Sequence, residues 1–263
     1  MIKKDLPATA RLKCVRDFMA ANNLTLPLVI KPDQGQRGAG VAFAHTEQQL
    51  EEFLAAIHDD VIVQEYVEGR EFGIFYIRYP NAERGFIYSI TDKRLIQVTG
   101  DGRRTLEELI LDDDRAVCLA RLHLQKHQKN LYKIPVQNEK IKLVEVGTHC
   151  RGALFLNGEF IKTKALEARL DEISKSFDGF YFGRYDLRTS SIDEIKNGAG
   201  FKIVELNGVT SEATHIYDPQ NSLCNGYRVL MKQWRMAFEI GELNRAKNVM
   251  PVSATHLLRL LIK

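Results

Sequence analysis

Lys31-Pro32-Asp33-Gln34-Gly35-Gln36-Arg37-Gly38-Ala39-Gly40 lies between two short apolar runs, Leu28-Val29-Ile30 and Val41-Ala42-Phe43-Ala44. Glycine at positions 35, 38 and 40 lets the backbone turn sharply and aim its N–H groups at an anion. No Gly-Lys-Ser/Thr closes the segment, so it is not a Walker A loop. Nor does it open a helix, as a dinucleotide fingerprint would, because Val41 onward reads as strand. A glycine loop between two strands suits a flap over phosphates, with Lys31 as a fixed positive charge at its base. A plain hairpin turn with an exposed lysine has the same composition, and the loop alone does not choose between them.

Working outward, residues 8–22 have a helical pattern that ends before Pro27. Thr46-Glu47-Gln48-Gln49 is a capping box ahead of a helical stripe of Leu50, Phe53, Leu54 and Ile57. Strands are expected at 61–67, 71–79, 86–90 and 95–98. A second capping box, Thr105-Leu106-Glu107-Glu108, precedes a helix over about 115–129. Further strands are expected at 141–146, 155–156, 180–187 and 201–206, with a helix through Leu166, Leu170, Ile173 and Phe177. The last long helix carries Tyr227, Leu230, Met231, Trp234 and Phe238 at helical spacing, which predicts a core-facing stripe. Strands and helices interleave without a strict βαβ rhythm, so the expected class is α+β.

Composition narrows the function classes. The 263 residues are 44% hydrophobic and 27% charged, enough apolar surface for a core without a metal or disulfide staple. A net charge of +3 with no basic concentration argues against a nucleic-acid partner. Cys14, Cys118, Cys150 and Cys224 show no CxxC spacing and read as reduced thiols. With no apolar run behind the N-terminus and none long enough for a membrane span, the expected location is cytoplasmic.

A second chemical segment is Phe201-Lys202-Ile203-Val204-Glu205-Leu206-Asn207-Gly208, a strand running into a turn. Alternation puts Glu205 and Asn207 on one face, about 6–7 Å apart. Carboxylate and amide oxygens so placed suit Mg²⁺, a hard cation. In Phe182-Gly183-Arg184-Tyr185-Asp186-Leu187-Arg188 the same alternation groups Arg184, Asp186 and Arg188. Each pair is also compatible with an ordinary solvated strand edge.

The segments PLVIKPDQGQRGAGV, VIVQEYVEGREF, FGRYDLR and KIVELNGVTSEATHIYDP, in this order across roughly 26–219, resemble the ATP-grasp superfamily. Among its members they are most similar to carboxylate-amine ligases of the D-alanine–D-alanine ligase type. The stretch 98–110, VTGDGRRTLEELI, is similar to the matching segment of cyanophycin synthetases. The resemblance implies two α+β subdomains gripping ATP. It divides the chain into an N-terminal helical segment, 1–25, a small subdomain with the glycine loop, 26–80, a large subdomain with the metal site, 81–240, and a tail, 241–263. Such ligases carry a substrate domain ahead of the first lysine strand. Here that domain is expected to be absent or truncated.

Residue by residue, the resemblance implies that Lys31 touches the ATP phosphates while Gly35, Gln36, Arg37, Gly38 and Gly40 close over them. Gln64, Glu65, Tyr66 and Val67 would form the hinge that reads adenine, and Glu71 would hold the ribose. Asp186, Glu205 and Asn207 match magnesium ligands, with Mn²⁺ as a substitute. Arg184 matches the arginine that stabilises the reacting carboxyl, and Lys93 a second phosphate lysine. Thr148, His149 and Arg151 lie where substrate is often contacted. The implied activity is ATP- and Mg-dependent ligation of a small-molecule carboxylate, an amino acid or peptide, to an amine. A small-molecule kinase on the same fold and a non-catalytic nucleotide-binding module are the alternatives.

Overall fold

The computed structural model describes residues 1–35, 38–145, 147–148 and 152–261. Gln36, Arg37, His149, Cys150 and Arg151, all named above, lie outside the described residues. The chain forms two compact units, one from residues 1–68 and 95–154, the other from 69–94 and 155–263. It is α+β throughout.

The first unit opens with helix α1 (Ala8–Ala21), strand β1 (Leu28–Pro32) and strand β2 (Ala42–Ala44). Helix α2 (Glu47–Ala55) and strand β3 (Val61–Glu65) follow. The strands form an antiparallel sheet in the order β2-β1-β3. Leu28 and Ile30 alternate into a core with Val15, Leu50, Leu54 and Val61, so the sheet buries one face beneath α1 and α2. Thr46 accepts from the Gln49 N–H, but the Gln49 side chain takes its hydrogen bond from the His45 N–H, one residue outside the expected box.

The other segment of this unit contains strand β6 (Gln97–Thr99), helix α3 (Leu106–Asp112), helix α4 (Ala120–His127) and strand β7 (Lys140–Lys142). The box at Thr105 is complete: its hydroxyl accepts from the Glu108 N–H while the Glu108 carboxylate accepts from the Thr105 N–H. The helix expected over 115–129 is shorter, a 3₁₀ turn at Val117–Leu119 leading into α4.

In the second unit, strand β4 (Arg70–Ile77) pairs with strand β5 (Phe86–Arg94). Strand β8 (Leu154–Asn157), helix α5 (Lys164–Lys175) and strand β9 (Phe182–Thr189) follow. Helix α6 (Ile192–Lys196), strand β10 (Phe201–Asn207), helix α7 (Leu223–Ala246) and helix α8 (Ala254–Leu261) complete it. The sheet order is β10-β9-β4-β5-β8. Its two faces are divided by alternation. Phe72, Ile74, Tyr76, Ile90, Tyr185 and Leu187 join Leu166 and Leu170 of α5 in one core. Phe75, Ile77 and Phe182 pack on Met236 and Ile240 of α7 on the other.

Apart from Leu230, which is half-buried, the stripe expected to face the core on α7 does not. Tyr227, Met231, Trp234 and Phe238 are 59%, 71%, 43% and 72% exposed. The buried side of α7 is instead Gly226, Gln233, Met236 and Ile240. Gln233 is buried because its amide joins two backbone groups, accepting from the Ala213 N–H at 2.8 Å and donating to the Ser211 carbonyl at 2.9 Å. An isolated helix with two apolar sides gives no rule for which one the sheet takes. Here the polar anchor at Gln233 fixes the choice.

Candidate functional site

The rest of that sheet face, the one packed against α7, carries charge. Register places Glu71 of β4 directly between Lys93 of β5 and Arg188 of β9. The next residue on the same face of β4 is Gly73, opposite Thr91 on one side and Asp186 on the other. Lys93 Nζ donates to Glu71 Oε1 at 3.0 Å and reaches Asp186 Oδ2 at 2.8 Å. To reach Asp186 it must cross β4, and the glycine leaves the path open. A Cβ at Gly73 would stand 3.2 Å from Arg184 Cδ, 3.2 Å from Asp186 Oδ1 and 3.4 Å from Lys93 Cε. Glycine inside an otherwise apolar strand is the signal for such a close approach.

Arg188 donates through Nε and an Nη to Glu71 Oε2 at 3.0 and 2.9 Å. Arg184 Nε donates to Asp186 Oδ1 at 3.0 Å, and its Nη1 donates to the Glu212 carbonyl at 2.9 Å. Lys93 and Asp186 side chains are each 5% exposed, so the pair is shielded from water. Burial disfavours the Lys93 ammonium, but the carboxylates of Asp186 and Glu71 outweigh it and raise its pKa. Burial likewise works against the Asp186 carboxylate, and the charges of Lys93 and Arg184 overcome it, holding Asp186 below the ordinary range. Both groups are therefore charged at neutral pH.

Strand β10 brings Glu205 and Asn207 to this face through an irregularity. Ile203 pairs with Leu187, but Glu205 pairs with Asp186, so Val204 is an extra residue in the ladder. Strict alternation would put Ile203, Glu205 and Asn207 on one side. The bulge lets Ile203 pack against the apolar core while Glu205 and Asn207 stand opposite Asp186 and Arg184 on the charged face. Asn207 Nδ2 lies 3.2 Å from Asp186 Oδ2, and turning the amide over would offer oxygen at the same place. Two carboxylates and one amide make an all-oxygen donor set whose chemistry fits Mg²⁺. No group of three or more His, Cys, Asp or Glu side chains suited to a metal is found among the described residues.

Other expected residues belong to the first unit. Lys31 sits on β1, paired with Ile62 of β3. Gly38 and Gly40 have φ of 73° and 71°, and a Cβ at Gly40 would meet Pro32 Cγ at 2.7 Å, so both sequence position and sterics call for glycine there. Gln64 and Glu65 end β3, and the Tyr66 ring meets Phe43 edge-on with centroids 5.8 Å apart. Gly35, Val67 and Thr148 are in the same unit. Gln36, Arg37, His149 and Arg151 lie outside the described residues.

Two members of the cluster had no assigned role. Arg188 was visible in the alternation of FGRYDLR, which already set it beside Asp186. Gly73 was visible only as a glycine interrupting an apolar run.

Residues 8–76 match the family model of the RimK-like ATP-grasp domain. Residues 31–40, residues 64–67 and Glu71 fall within that match. No curated protein sequence matches the chain. Among solved structures, the chain is similar to a bifunctional glutathione synthetase from Pasteurella multocida, at 16% identity and a TM-score of 0.43 over 84% of this chain and 32% of that one. It is similar to a D-Ala:D-Ser ligase from Enterococcus faecalis, at 16% identity and 0.44 over 88% and 53%. It is also similar to a D-alanine–D-alanine ligase from Bacillus anthracis complexed with ATP, at 14% identity and 0.43 over 94% and 60%. The chain thus spans between about a third and three fifths of the length of these structures.

Proposed function

We propose that this chain is the ATP-binding, carboxylate-activating part of an ATP-grasp ligase that joins an amino acid or peptide carboxylate to an amine. The observation that carries the reading is the shielded row Glu71–Lys93–Asp186–Arg184, with Glu205 and Asn207 brought beside it by the β10 bulge. The family match over residues 8–76 supports the nucleotide half of the reading.

A carboxylate is a poor acyl donor because oxide would have to leave. Transfer of the terminal phosphoryl group of ATP to a carboxylate oxygen releases ADP and gives an acyl phosphate. An amine nitrogen then attacks the acyl carbon, phosphate departs and the nitrogen gives up a proton. Lys31 and the backbone N–H groups of the glycine loop hold the phosphates, and Gln64 to Val67 read the adenine. Glu71 accepts from ribose hydroxyls with the lone pairs that Lys93 and Arg188 leave over. Arg184 sits where charge on the reacting carboxyl is offset, and Lys93 fixes the positions of both carboxylates. Asp186, Glu205 and Asn207 would hold Mg²⁺, which when bound neutralises phosphate charge. Thr148, with His149 and Arg151, belongs to the substrate side of the proposal.

The test is ADP release with Mg²⁺ over amino acids, dipeptides and hydroxy acids, followed by mass spectrometry of the product. An amide product supports the ligase, and a stable phosphorylated product replaces it with the kinase. A second reading, a nucleotide-binding module without catalysis, draws on one observation. Asp186 already meets Arg184 at Oδ1 and both Lys93 and Asn207 at Oδ2, so its charge is balanced without a metal. Nucleotide binding with no ADP release from any mixture would favour that module.

A further inference from the structure

The exposed stripe of α7 is large for a surface that meets only water. Tyr227, Met231, Trp234 and Phe238 recur at spacings of four, three and four, so they form one continuous ridge. From their exposures of 59%, 71%, 43% and 72% they present about 500 Å² of mostly apolar surface, near the upper end for a monomer. Leu223, 76% exposed, extends the ridge by one turn at its start. Gly241 continues it at the other end with no side chain to hold a neighbour away.

Charge along the flank of this ridge changes sign. Arg228 and Arg235 lie beside its N-terminal and central parts, and Glu239 and Glu242 beside its C-terminal part. Arg235 is already paired within the helix, at 2.9 Å from Glu239 Oε1, whereas Arg228 contacts Asn225 Oδ1 at 3.4 Å. A second α7 laid antiparallel places its Glu242 against Arg228 of the first, on the same flank, with Arg245 beyond them in the last turn. A parallel two-fold pairing would set this flank against the opposite flank of the second copy and leave Arg228 and Glu242 unpaired. The ridge is therefore self-complementary under a two-fold axis, the requirement of an isologous interface.

We propose that this ridge is the contact face of a homodimer in which α7 packs antiparallel on α7 of a second copy. The apolar ridge forms the centre of the contact, and the flanking Arg228 of each copy faces Glu242 of the other, since Glu239 already accepts from Arg235 and from the Tyr79 hydroxyl. Ridge and flanks together approach the roughly 800 Å² per partner typical of stable interfaces. Trp234, near the middle of the ridge, is buried by the pairing.

Trp234 is also the single tryptophan of the chain, which makes the test direct. The full chain is diluted while its mass is followed by sedimentation and its tryptophan emission is recorded. The expected result is a dimer that falls to the chain mass on dilution, with emission moving to the red in step. Met231→Glu and Phe238→Glu should give monomers with unchanged far-ultraviolet circular dichroism. Arg228→Glu should weaken association by roughly tenfold or more, and adding Glu242→Arg should recover it. That charge reversal keeps the apolar ridge intact, so it remains informative if a ridge variant fails to fold. A chain that is monomeric at its highest soluble concentration overturns the proposal. So does a dimer indifferent to both ridge variants, or an emission unmoved by dissociation. Failure of Glu242→Arg to recover the Arg228→Glu loss overturns the antiparallel arrangement.

Discussion

Replacing Lys93 with Met removes the cation from the centre of the charged row while keeping most of its volume. Lys93 lies within 3.0 Å of Glu71 Oε1 and 2.8 Å of Asp186 Oδ2, with its side chain 5% exposed. Breaking a buried ion pair from one side costs about 3–5 kcal/mol, because the remaining charge stays buried. Here Glu71 keeps Arg188, and Asp186 keeps Arg184 and Asn207. The expected loss therefore lies at the lower end, about 3 kcal/mol. Equilibrium denaturation by urea, followed by circular dichroism, measures it directly.

The pH dependence gives a second, independent readout. Asp186 is lowered from its ordinary 3.8, so its contribution is complete above that value and is lost as pH falls through the folded pKa. Lys93 is raised from 10.5, so its contribution is complete below that value and is lost as pH rises through the folded pKa. Between those limits the difference between the wild type and Lys93→Met should be flat. In the variant, Asp186 loses part of its depression, so acid destabilisation begins at a higher pH. A loss below about 0.5 kcal/mol, the scale of a solvent-exposed pair, would refute the reasoning that this row is shielded.

Glu205→Ala should lower ADP release by on the order of 10²–10³ while leaving the circular dichroism spectrum intact. Full activity, or unfolding, counts against its place in the metal set. Gly73→Ala should cost about 1 kcal/mol, because its Cβ lies 3.2 Å from both Arg184 Cδ and Asp186 Oδ1. Gly73→Val should cost more by prising Lys93 from Asp186, and equal stability of the two variants in urea would contradict the crossing path. Gln233→Leu should cost about 2 kcal/mol by orphaning the Ala213 N–H and the Ser211 carbonyl, and an unchanged urea midpoint would remove its role as the anchor of α7. Finally, ATP with Mg²⁺ should protect the chain from protease cleavage between Asp33 and Gly40, and unchanged cleavage there would argue against loop closure over phosphates.

What the sequence alone determined was local. The alternation in FGRYDLR set Arg184, Asp186 and Arg188 on one face, and the glycines at 38 and 40 marked backbone of positive φ. The Thr105 box was legible because its hydrogen bonds close within four residues, but the helix it caps is α3 at Leu106–Asp112, not the one expected over 115–129. Tertiary structure decided the rest. Glu71 stands between Lys93 and Arg188 only because β4, beside its neighbour β5 in the chain, also pairs with β9, more than a hundred residues on. The extra residue at Val204 reversed the parity that brings Ile203 to the core and Glu205 to the charged face. The buried side of α7 was likewise settled by the backbone groups waiting at Ser211 and Ala213. Periodicity belongs to contiguous residues, whereas register, bulges and the choice between two apolar sides depend on what the chain brings back from a distance.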